Sequence, residues 1–163
     1  MRFAKLTPVV ALALAACAGS ASAQGLPTTK VLTMDVAQAI AQEAITSCRA
    51  AGYHVSVLVV DAGNMQKAFL RDDGAGNATV EVARLKANSV IAFGRPSGPP
   101  ANLPPGQPAP PPVLPNTINA MGGVPIKVGD NMIGAVAVSG APGGDKDAMC
   151  ANAGLAKVAD KLK

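Results

Sequence analysis

The chain has 163 residues, with 14 Lys and Arg against 10 Asp and Glu, one His, three Cys and no Trp. A net charge of +4 without clustered Lys and Arg is too weak a footprint for nucleic acid. Three Phe and one Tyr are too few to build a base-stacking platform, and a single His excludes a His-rich metal site within one chain.

The first segment, "MRFAKLTPVVALALAACAGSASAQ", carries Arg2 and Lys5, an apolar run from Leu6 to Ala16, and the small-residue site Ala21-Ser22-Ala23. That pattern predicts a secretory signal peptide over residues 1–23 rather than a membrane span. Removing those 23 of 163 residues leaves a 140-residue domain, 24–163, and takes away two basic and no acidic residues, lowering the charge from +4 to +2. The run "LAAC" ending at Cys17 also fits lipid attachment, so a periplasmic or secreted protein is the first expectation and a tethered lipoprotein the alternative. After processing no further apolar run is long enough to span a membrane.

Residues 33–51 are predicted to form a helix. Thr33 is placed to cap it, Asp35 complements the positive end of the dipole, and Gly52 stops it. Val36, Ala37, Ile40, Ala41, Ala44, Ile45 and Cys48 recur at helical spacing as one stripe. The segment 54–61, "HVSVLVVD", is β-branched and apolar on both faces, which predicts a central strand. "AGN" turns the chain into a hairpin partner over 65–71, and "DDGAGN" then leads to a second helix over 78–93, ended by Gly94 and Pro96. In residues 96–115, 10 of 20 are proline, which predicts an extended polyproline-like surface loop. A second hairpin follows over 123–128 and 132–139, and a last helix from about Asp145 to Leu162. Hairpins interleaved with helices predict an α+β fold, an antiparallel sheet flanked by helices.

The turn "VSGAPGGDKD" (138–147) raises the question of a phosphate cradle. Counting from Gly140, Asp145 stands where a Walker loop needs its second glycine, and Lys146 is followed by Asp147 rather than Ser or Thr. Two carboxylates in the first helical turn already satisfy the dipole and repel an anion. The loop is predicted to start a helix, its glycines permitting positive φ or a close backbone approach.

Three ordered stretches closely resemble the GlcG/HbpS family, the haem-degrading domain family. They are "VVDAGNMQKAFLRDDGA" (59–75), "VARLKANSVIAFGRPS" (82–97) and "GGVPIKVGDNMIGAVAVSGAPGGDKDAMCANAG" (122–154). The chain departs from the family pattern at Asp72, where members usually carry Met, and in its proline content over 96–115. The resemblance implies a profilin-like α/β sandwich, a tendency to homo-oligomerise, and haem as cofactor or ligand in exported members.

Cys48 and Cys150 form an even pair in an oxidising compartment. Bridged, they would close a loop of about 100 residues; unbridged, they are two buried small side chains. His54 is the one classical haem-iron ligand, set against the reading of a plain strand-end histidine. Thr79 and several methionines are weaker ligand candidates. Arg71 with Asp72 and Asp73 either binds a carboxylate such as a haem propionate or braces the turn before the second helix. Lys86 is expected on the solvated side of that helix or paired with Asp73. Ser139 lacks a nucleophile elbow, and no base is visible beside it. The sequence therefore points first to an exported haem-binding protein, for sequestration or sensing. The alternative is a small enzyme or accessory domain acting on a small carboxylate or tetrapyrrole-related compound, its pocket formed by Arg71, Asp73 and Gly140.

Overall fold

The computed structural model describes residues 28–99 and 114–163. The signal segment, Cys17 and residues 100–113 of the proline-rich loop lie outside them. The elements run α1 (Met34–Ala50), β1 (Ser56–Asp61), β2 (Gln66–Arg71), α2 (Ala78–Phe93), β3 (Gly123–Val128), β4 (Asn131–Ser139) and α3 (Gly144–Lys157). The four strands form one sheet in the order β2-β1-β4-β3, every neighbouring pair antiparallel. The α+β sandwich expected from the sequence is therefore the fold.

β1 shows why the fold has two cores. Successive side chains of a strand point to opposite faces. Val57 and Val59 enter one core with Val136 and Val138 of β4 and the apolar stripe of α1. Leu58 and Val60 enter the other with Ala135, Ala137 and the α2 residues Ala83, Ala87 and Val90. A strand apolar on both faces is thus central, with helices on each side.

The larger core joins α1 and α3. Gly154 lets their backbones meet: a Cβ there would lie 2.5 Å from the Ile40 carbonyl oxygen. Cys48 and Cys150 are bridged across the same seam, 102 residues apart in sequence. Thr33 caps α1 by accepting from Val36 N. α3 ends at Lys157 rather than near Leu162, because Val158 leaves helical dihedrals and the chain continues through three-residue turns while burying that side chain. β1 starts at Ser56, so His54 precedes the strand instead of ending it.

Candidate functional site

Most of the polar candidates gather at one end of the sheet. The β1–β2 and β1–β4 registers place Ser56 opposite both Arg71 and Ser139, so these three form a row on one face. Thr79, in the first turn of α2, meets that row: its hydroxyl lies 2.8 Å from Ser56 Oγ and donates to the Gly76 carbonyl at 2.6 Å. Ser139 is buried at the end of β4. Gly140 follows it with φ 137°, where a Cβ would sit 2.5 Å from the His54 carbonyl oxygen. The backbone that carries His54 and the Gly140 turn therefore pack directly on each other.

Arg71 does not pair with the neighbouring aspartates. Its guanidinium donates to the Ala75 carbonyl through Nε at 3.1 Å and through Nη2, and Nη2 also reaches Asn77 Oδ1 at 3.3 Å. It straps the turn between β2 and α2 by binding carbonyls, because Asp72 points the other way and Asp73 is exposed. Asp72, 3% exposed, accepts from Arg49 of α1 at one carboxylate oxygen, Nε at 2.8 Å and Nη2 at 2.5 Å. Its other oxygen lies 3.1 Å from His54 Nδ1. The Arg49 hydrogen bonds outweigh the cost of burial and hold the Asp72 carboxyl down at about 2, with the His54 contact adding to them. Asp72 in turn raises the Arg49 guanidinium. His54 itself keeps 60% of its side chain exposed above this buried carboxylate.

Lys86 corrects a second expectation. It is neither solvated nor paired with Asp73. Only 3% exposed, it donates to Asp147 Oδ2 of α3 at 2.7 Å and to the Val138 carbonyl at 3.0 Å. Asp147 Oδ1 accepts the Ala141 N–H at 3.0 Å. Desolvation pushes the Asp147 carboxyl upward against the opposing pull of Lys86. The pair links α2 on one face of the sheet to α3 on the other, and fastens the Gly140–Gly143 turn against which His54 rests. Lys86 is a buttress of the site, held out of reach of a ligand.

Sequence reasoning missed Arg49 and Asp147. Both look like ordinary helix-terminus charges, a cation in the last turn of α1 and an anion in the first turn of α3. The unusual Asp72 was the one legible signal, since a second adjacent carboxylate needs a partner of its own. Among the described residues no three His, Cys, Asp or Glu side chains converge on a bare metal ion, and no helix is long and apolar enough to cross a membrane.

The chain is similar to known proteins over most of its length. The family model described as haem degrading protein HbpS-like matches residues 32–156. A crystal structure of HbpS superposes with a TM-score of 0.69 at 30% identity, covering 80% of this chain and 92% of that one. The Streptomyces reticuli HbpS double mutant gives 0.68 at 27% identity, covering 94% and 97%. The crystal structure of a PduOC–haem complex gives 0.69 at 19% identity, covering 78% and 95%, a likeness of fold alone. No curated protein matches the chain.

Proposed function

This chain belongs to the HbpS-like family of haem-degrading proteins, which makes its function haem-related, and we propose that it is an exported haem-binding protein in which His54 would ligate the iron. The observation that carries the reading is the state of the one histidine. Its ring is more than half exposed while Nδ1 faces a buried carboxylate, so Nε2 is the nitrogen left for another partner.

The residues around His54 fit a haem bound at a surface. Arg49 keeps about half of its side chain exposed despite its bond to Asp72, and Lys146 sits 5.7 Å from the centroid of the ring of Tyr53, the residue before His54. These cations suit the two propionates of a haem. Arg71, whose guanidinium is engaged with Ala75 and Asn77, serves the turn instead. Bound haem would supply a ferric iron open to ligation and redox chemistry. A side chain as exposed as that of His54 would leave part of a bound haem to a second surface. A homo-oligomer provides one, because each chain brings a single His. Export rests on the 1–23 signal pattern, and either sequestration or sensing of haem outside the cytoplasm suits it.

The test is a haemin titration of the chain from Gln24, followed by absorbance. The expected result is a saturable Soret shift at stoichiometric haem, with affinity at least about tenfold weaker in His54→Ala. No saturable shift would overturn the reading, and an undiminished shift in His54→Ala would remove the histidine from it.

A further inference from the structure

We infer that Asp72 is the positioning residue of this site: it fixes His54 in the tautomer with hydrogen on Nδ1, so that Nε2 presents its lone pair outward. The inference rests on the haem reading for its purpose and on the hydrogen-bond geometry for its substance.

A neutral imidazole has one N–H, and an ionised carboxylate only accepts. Asp72 Oδ1 takes both Nε and Nη2 of Arg49, so the carboxylate is held ionised and in a fixed plane, with Oδ2 at 3.1 Å from Nδ1. The nitrogen facing Oδ2 must therefore be the donor, and Nε2 the acceptor. The carboxylate is also fixed along the chain. The Asp72 N–H donates to the Val55 carbonyl at 2.9 Å, one residue beyond His54, and the Asp72 carbonyl accepts from Ala75 N at 3.1 Å. Gly74 lies beside the ring: with φ +83°, a Cβ built there would be 3.5 Å from His54 Cγ, an ordinary van der Waals distance. Rotating the ring by half a turn would put a carbon where Nδ1 now meets the carboxylate and forfeit that bond. A carboxylate behind an imidazole is the general means by which proteins orient a metal-binding histidine and raise its basicity.

The competing reading makes Asp72 only a brace between α1 and the turn, with His54 a bystander. The chain's single histidine makes the two separable, because a long-range proton–nitrogen correlation spectrum of the ligand-free protein contains one imidazole. At about pH 8.5, well above the ordinary histidine range, the spectrum should show a protonated Nδ1 and a bare Nε2. In Asp72→Asn the amide can donate to Nδ1, and the spectrum should move to the Nε2–H tautomer while haemin affinity falls about 10–100-fold. Arg49→Gln, which cuts the brace but keeps the carboxylate, should retain the native tautomer. A wild-type protein mainly in the Nε2–H form overturns the inference, even if no substituted protein folds. So does a folded Asp72→Asn whose tautomer has moved while haemin affinity stays unchanged. Failure of the haem reading shows separately, as absence of saturable haemin uptake by the wild type whatever its tautomer.

Discussion

Lys86 and Asp147 carry opposite charges into a place where each is about 3% exposed, and there both carboxylate oxygens accept and the ammonium donates twice. Burying two ions costs several kcal/mol apiece, which their attraction and extra hydrogen bonds offset only while both are present. Lys86→Met should therefore destabilise the protein by about 3–5 kcal/mol, read as a fall in the urea midpoint with an unchanged slope. Adding Asp147→Leu to that variant removes the stranded carboxylate and should recover most of the loss. About 1–3 kcal/mol should stay missing, for the Ala141 N–H left without its acceptor. A single Lys86→Met change costing under about 1 kcal/mol would mean that water reaches the pair and that it does not buttress the turn. The Asp72–Arg49 pair differs in kind, because Arg49 stays half exposed and only the carboxylate is buried.

At the scale of elements, the seam between α1 and α3 is where the chain's distant halves are joined. The Cys48–Cys150 bridge spans 102 residues, and a cross-link of that length constrains the unfolded chain by about 4–5 kcal/mol in the entropy model. Cys48→Ala with Cys150→Ala should lower the unfolding free energy by roughly that amount, less any relief of native strain, as measured by urea denaturation. Equal stability of the bridged and substituted chains would contradict the pairing.

The elements themselves were legible because their signals are local. The α1 stripe with Thr33 ahead of it, the two-faced apolar run of β1, and the Gly94 stop of α2 each appear within a few residues. The site was legible only in part. His54 could be named from composition, yet its meaning depends on Arg49 and Asp72, residues 23 apart that meet only after β1 and β2 have paired. Lys86 was misassigned for the same reason, its partner lying 61 residues further on across the sheet. The end of α3 was overrun because Leu162 continues the apolar spacing after the backbone has left the helix.

Taken whole, the molecule is a two-core sandwich that places its one histidine outside the cores, at the end of the sheet where three helix termini and the Gly140 turn come together. The interior is closed by the disulfide and the buried ion pair, so the exposed ring stands on a fixed base. That arrangement suits a ligand that is gripped at the surface and shared with a second copy of the chain. The central claim, that this ring binds haem iron, can be tested at the iron itself. With only one histidine per chain, growth on ¹⁵N-histidine labels a single side chain, and pulsed electron paramagnetic resonance of the ferric haem complex reports any labelled nitrogen bound to the metal. The ¹⁵N coupling of a directly ligated imidazole is the predicted result. A saturated haem complex without that coupling would contradict the assignment of His54 as ligand.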